Sequence, residues 1–323
     1  MQKMMEKRAL ELLADGTVNR VLGWSAGDFI YDVTPAVFKT AEEVQDKFLY
    51  NDFCGANLSK YLVKESRKEG KILVFLKPCD TYSFNQLIAE HRIIRENIYA
   101  IGVECFGKAD EEKLRAKGIT GITGIEMKDG TYTVHTVYGD ETVKAYEVMA
   151  DRCLSCKSKK HVAYDELLGS EGEVVEDCNR FDMVEKLEAM TADERYEFWR
   201  GELSRCIRCN ACRNICPACT CEQCVFDNPN SGVSQKAAVN SFEENMFHII
   251  RAFHVAGRCT DCGECSRVCP QHIPLHLLNR KFIKDVNTFY GEYQAGENPE
   301  AKPPLGKYEK NDIEPGEAGG AKA

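Results

Sequence analysis

Two copies of one cysteine pattern constrain this chain more than any other feature. Cys206, Cys209, Cys212 and Cys216, followed by Pro217, spell C-x2-C-x2-C-x3-C-P, and Cys259, Cys262, Cys265 and Cys269, followed by Pro270, repeat it without deviation. Three cysteines two residues apart let one tight loop aim three thiolates at three corners of a 4Fe-4S cubane. The fourth lies beyond that loop's reach and ligates the other cluster of a pair. The pattern therefore predicts crossed ligation, with Cys206, Cys209, Cys212 and Cys269 on one 4Fe-4S cluster and Cys259, Cys262, Cys265 and Cys216 on a second. The prolines fit, because a residue with fixed φ and no N–H stops a helix right after the crossing ligand. Zinc knuckles also use C-x2-C, but they have no need of a trailing Cys-Pro in both copies. Thiolate cages with no open coordination position suit electron transfer better than chemistry on a substrate.

The rest of the composition agrees with a metalloprotein of the reducing cytoplasm. Seventeen cysteines is an odd number, and a disulfide scaffold of that density belongs to short exported chains. This chain has 323 residues, room for two domains. Its start, MQKMMEKRALELL, interrupts the apolar positions of a helix with Lys and Glu, which is the pattern of an amphipathic helix and not of a signal peptide. A formal net charge of −9 argues against binding nucleic acid or an anionic membrane surface. No apolar run approaches the ~18 residues of a membrane span.

Along the chain, residues 3–14 are expected as a helix and TVNRVLGW as a first strand. KILVFLK (71–77) and NIYAIGVEC (97–105) are apolar runs of the kind that form buried strands, with helices between and after them. GTYTVHTVYGDETVKAYEV alternates with period two about a Gly-Asp pair and predicts a hairpin; Gly118, Gly121 and Gly124 before it are expected in a loop. The fold class expected is an α/β N-terminal domain, mostly parallel sheet with a hairpin, over 1–180. An α-helical dicluster ferredoxin-like domain follows over 181–290, its helices opened by capping boxes at Thr191 and Ser241. The residues from 291 to 323, rich in Pro, Gly, Glu and Lys, are expected as a disordered tail.

Subtracting eight dicluster ligands leaves Cys54, Cys79, Cys105, Cys153, Cys156, Cys178, Cys219, Cys221 and Cys224. Cys178 reads as a small core residue, and Cys54 reads equally well as core or ligand. Cys79 and Cys105 follow the two predicted buried strands, and the carboxyl ends of parallel strands converge on the edge where ligands collect. Cys153 and Cys156 come just after the hairpin and are placed to close over that edge. Cys219, Cys221 and Cys224 offer three thiolates on one short loop.

Two groupings stay open for one or two additional 4Fe-4S clusters. In one, Cys79, Cys105, Cys153 and Cys156 hold a third cluster, and Cys219, Cys221 and Cys224 hold a fourth with Cys54 or Cys178. In the other, the latter three share a single site with one first-domain cysteine, bridging the halves. A zinc site of Cys153, Cys156, Cys221 and Cys224 has suitable pairing as well. His248 and His254 are expected as surface or packing residues. Arg205, Arg208, Arg213, Arg258 and Arg267, near the cysteine runs, are either solvated charge or groups that raise cluster potentials or dock an acidic partner. The chain has no G-x-G-x-x-G after a strand, no P-loop and no paired histidines with an intervening acid.

Several segments also resemble a known family. VLGW (21–24), NDFCGANLSKYL (51–62), VFLKPCD (74–80), IGVEC (101–105) and RCLSCKSKKHVAYDELLG (152–169) resemble the beta subunits of deazaflavin-reducing hydrogenases and deazaflavin-dependent formate dehydrogenases. SFEENMFHIIRAFHVAGRCTDCGECSRVCPQHIPL (241–275) is similar to the dicluster module at the carboxyl end of the formate dehydrogenase members. The resemblance implies a subunit that passes electrons between a catalytic partner and a flavin or deazaflavin. It also implies electron-accepting partner subunits, of hydrogenase, formate dehydrogenase or heterodisulfide-reductase-like complexes. The alternative is a self-sufficient flavoenzyme with FAD in the first domain; a protein that keeps its clusters only for structural reasons is a third class.

Overall fold

The computed structural model describes residues 1–157, 159–175, 178–228 and 241–306. The chain divides into two compact units, one of Met1–Phe84 with Ile93–Cys178, the other of Asn85–Arg92 with the residues from Asn179 onward.

The first unit is built on a five-stranded sheet. Its strands are β1 (Arg20–Ala26), β2 (Val33–Phe38), β3 (Ile72–Leu76), β4 (Ile98–Val103) and β8 (Glu166–Leu168), in the order β2-β1-β3-β4-β8. The continuous apolar run Ile72–Leu76 is buried at every position, as a strand covered on both faces requires. β1, β3, β4 and β8 pair in parallel and β2 adds an antiparallel edge. β2 carries Pro35, which has no N–H for a ladder and is tolerated at an edge. Helix Gln2–Ala14 turns its Met5, Ala9 and Leu12 inward, and Gly16 ends that segment at a φ of +75°, where an L side chain would be strained. Residues 54–68, whose apolar positions are spaced as in a helix, form only two short turns, Leu58–Tyr61 and Leu62–Glu65. There the Asn57 side chain accepts from Ser59 N–H and donates to Ser83 Oγ, and Ser59 Oγ donates to the Asp80 carbonyl. These local side-chain bonds compete with regular helix.

A three-stranded antiparallel sheet holds β5 (Ile122–Lys128), β6 (Thr131–Thr136) and β7 (Gly139–Lys144). The predicted hairpin is β6–β7, with Val137 and Tyr138 at its tip, so the Gly-Asp pair opens β7 instead of forming the turn. Gly124, expected in a loop, lies in β5 beside a register irregularity between Ile122 and Gly124. The strand is hidden in sequence because Gly124 and the irregularity break its alternation, while Ile122 and Ile125 still pack on Tyr132 and Val134.

The second unit is helical among its described residues. Its main helices are Asp182–Glu188, Ala192–Leu203, Ser241–His254 and His276–Tyr290, with short turns Ala211–Ile215 and Glu264–Arg267. Thr191 and Glu194 form the expected capping box, the Thr191 side chain accepting from Glu194 N–H and the Glu194 carboxylate accepting from Thr191 N–H. The side chain of Ser241, expected to cap the next helix, lies outside the described residues. Asp261 joins two segments distant in sequence, accepting from Arg180 Nε at 2.7 Å and Arg280 Nε at 2.9 Å. Of the expected tail, residues 291–306 run in turns with Ala295 buried, and 307–323 lie outside the described residues. Among the described residues no helix is long and apolar enough to cross a membrane.

Candidate metal centres

The two cysteine runs repeat in backbone conformation as well as in spacing. The residue before the second cysteine is left-handed in both copies, Arg208 (φ 55°) and Asp261 (φ 60°), and so is the residue after it, Asn210 (φ 63°) and Gly263 (φ 69°). Glycine, asparagine and aspartate tolerate this conformation, whereas Arg208 is held in it against a steric cost. A tight loop of this kind turns successive cysteines to one side, and a short helix then carries the third away toward the fourth. Those two short helices, Ala211–Ile215 and Glu264–Arg267, pack against each other.

The packing interleaves the runs. One cavity is lined by Cys216 together with Cys259, Cys262 and Cys265. Burial pushes the Cys265 thiol up to about 12; Arg251 pulls it down, and Cys216, Cys259 and Cys212 push it further up. Cys262 is pushed well above the ordinary thiol range by burial, then by Glu264 and Cys216. On the other side, burial pushes Cys212 up to about 11, and after the opposing effect of Arg251 the thiols that act on it are Cys206, Cys269 and Cys209. Cys216, the fourth cysteine of its run, thus falls beside the first three of the other, and Cys269 is among the thiols that act on Cys212.

In the first unit, Cys79 sits at the start of helix Pro78–Ala89, just after β3, and Cys105 lies two residues beyond β4. Cys153 is on the short helix Asp151–Leu154, and Cys156 follows it. All four act on Lys159: burial disfavours its charge, and Cys156, Cys105, Cys153 and Cys79 together more than reverse that. Burial likewise raises Cys79 and Cys153. Cys54 is buried and engaged locally, its sulfur accepting from Asn51 N–H at 3.2 Å. Cys178 is half-buried.

The three cysteines that follow the first run have different surroundings. Cys219 packs with Cys216, Ala218, Val255 and Cys259. Cys221 is exposed in an open groove beside Arg92, Glu222 and Arg258. Cys224 packs against a different group, which contains Leu203, Phe226 and Phe247 together with Cys212 and Cys265. Among the described residues no three His, Cys, Asp or Glu side chains converge where a single metal ion would sit.

Three residues with no sequence signal of their own stand against these thiols: Lys159, His248 and Arg251. His248, expected as a surface or packing residue, is buried with Nε2 3.3 Å from Cys206 Sγ. Burial, then Arg251 and Arg208, push it down to about 3, so the ring is neutral. Arg251 is 1% exposed, and its Nε, Nη1 and Nη2 have no hydrogen-bond partner among the described residues. The donor set fits 4Fe-4S clusters: the ligands available are thiols, and an orphaned buried guanidinium beside them is what an anionic cluster would neutralise.

Fold and thiols define an iron–sulfur protein that ends in a ferredoxin-type dicluster domain, and residues 202–273 match the family described as "4Fe-4S dicluster domain". The chain is 22% identical to the F420-dependent formate dehydrogenase subunit beta of Methanocaldococcus jannaschii, over 93% of this chain and 92% of that protein. It is 24% identical to the F420-dependent formate dehydrogenase 1 subunit beta of Methanococcus maripaludis, over 91% of this chain and 90% of that one. Over nearly its whole length the chain is thus similar to the beta subunits of these F420-dependent enzymes. The solved F420-reducing NiFe hydrogenase complex from Methanosarcina barkeri aligns with a TM-score of 0.42 and 15% identity, covering 58% of this chain and 73% of that one.

Proposed function

We propose that this chain is the iron–sulfur electron-transfer subunit of a cytoplasmic oxidoreductase complex, of the formate dehydrogenase, hydrogenase or heterodisulfide-reductase-like kind. The observation that carries the reading is the cavity that Cys216 lines together with Cys259, Cys262 and Cys265. In this reading that set holds one 4Fe-4S cluster, and Cys206, Cys209, Cys212 and Cys269 hold the other. When bound, such clusters take up and release single electrons. The protein's part is to set the thiols at fixed positions, keep water away from the buried ones and surround them with cations. A catalytic partner and an electron acceptor are then other subunits, as the relatives' designation as beta subunits suggests. The direct test is anaerobic preparation followed by dithionite reduction. At least two reducible paramagnetic centres per chain are expected, those of the paired clusters; zinc in their place, or no signal on reduction, overturns the reading. A flavin band that remains after iron removal would instead favour FAD in the first unit and a self-sufficient flavoenzyme.

Cys79, Cys105, Cys153 and Cys156 are proposed to hold a third 4Fe-4S cluster, supported by their common action on Lys159. Replacing Cys105 and Cys156 together with alanine is expected to remove about four iron atoms per chain. The same double replacement at Cys221 and Cys224 is expected to leave iron content unchanged, because those two thiols have separate surroundings. Iron counting on the anaerobic variants decides both points: an unchanged count in the first variant removes the third cluster, and a loss in the second restores a further site on that loop.

A further inference from the structure

The five arginines near the cysteine runs that sequence singles out are all neutralised by carboxylates. Arg205 pairs with Glu202, Arg208 with Glu243 at 3.9 Å, Arg213 with Asp227 at 2.8 Å, Arg258 with Glu90 at 2.7 Å, and Arg267 with Glu264 at 2.8 Å. Arg251 is different. It lies in the last turn of helix Ser241–His254, is 1% exposed, and none of its nitrogens meets a hydrogen-bond partner among the described residues. A guanidinium keeps its proton at any pH a protein survives, so burying it unpaired is among the costliest arrangements a fold can hold. The groups that act on it are the thiols of Cys265, Cys212, Cys216 and Cys219. Cys212 belongs to one proposed cluster, and Cys216 and Cys265 to the other.

We infer that Arg251 is the shared counter-ion of the two clusters, a positioning residue that raises both reduction potentials together. The inference rests on the two-cluster reading above. Each cluster gains one electron on reduction and becomes more negative, while Arg251 stays protonated in both states. A fixed positive charge in a poorly screened interior therefore favours the reduced form of whichever cluster it faces. Because it faces ligands of both, removing it affects both, and that separates it from an arginine that merely packs against one loop.

The test is a redox titration of the anaerobic full-length chain, followed by electron paramagnetic resonance, with iron counted in every sample. In Arg251→Gln both centres are expected to keep their iron. At a fixed solution potential their reduced-to-oxidised ratios should fall on the order of tenfold, equal to about 59 mV for a one-electron couple. Arg213→Gln, which removes an arginine already paired with Asp227, should leave both unchanged. Arg251→Gln with both centres loaded and unmoved, or with only one moved, overturns the inference and leaves the two-cluster reading standing. If Arg251→Gln loses iron, Arg251→Lys decides: loaded clusters at parent potentials support the charge, whereas shifted potentials or a second loss of iron overturn it. A parent chain without reducible clusters would overturn the electron-transfer reading, and the inference with it.

Discussion

Cys269→Ala is expected to remove the cluster assigned to the first cysteine run and leave that of the second. Iron should fall by about four atoms per chain, and the residual signal of the reduced protein should match that of Cys209→Ala. Cys216→Ala should do the reverse and match Cys262→Ala. The expectation comes from packing: Cys269 is among the thiols that act on Cys212, and Cys216 lines the cavity with Cys259, Cys262 and Cys265. If each run kept its own four cysteines, Cys269→Ala would instead match Cys262→Ala. Comparing the four spectra separates the two wirings without a structure of the loaded protein.

The second large effect concerns the first unit. Lys77 and Asp80 are each 1% exposed, and Lys77 Nζ donates to Asp80 Oδ2 at 2.7 Å and to the Ala56 carbonyl at 2.8 Å. The ammonium also lies 4.6 Å from the centroid of the Trp24 ring. Removing one member of such a pair leaves an uncompensated buried charge, so Asp80→Ala should cost about 3–5 kcal/mol of unfolding free energy. The joint replacement Lys77→Met with Asp80→Leu removes both charges and should recover most of that loss. Urea unfolding followed by tryptophan fluorescence reads this out in a Trp199→Phe background, since the chain has two tryptophans and Trp24 is then the only reporter. A loss below about 1 kcal/mol, the range of an exposed ion pair, would show that the pair is not sealed from water.

Legibility in the sequence followed the strength of local signals. Ile72–Leu76 and Ile98–Val103 were readable because strands covered on both faces need unbroken apolar runs. The cap at Thr191 was readable because its chemistry spans four consecutive residues. β2 has a proline and only one fully buried residue, and β8 has three half-buried ones, so neither carries a pattern strong enough to see. Both are strands only because a neighbour offers them a ladder. At the candidate sites, Cys79 and Cys105 were expected at the carboxyl ends of adjacent parallel strands, which is where β3 and β4 leave them. Lys159 and Arg251 look in sequence like any other cations. Their importance lies in burial and in what faces them, and neither property is written in their neighbours along the chain.

By itself, the sequence determined that this chain carries two ferredoxin-type cysteine runs and an α/β first half, because spacing and apolar periodicity are local properties. Only the tertiary structure decided that Cys216 lines a cavity with the three cysteines its spacing assigns it to, and that one buried arginine near these thiols has no carboxylate partner among the described residues. The physical reason is that a loop can aim three thiols by its own backbone angles. The position of the fourth, and the screening of every charge around it, depend on segments that meet only after the chain has folded.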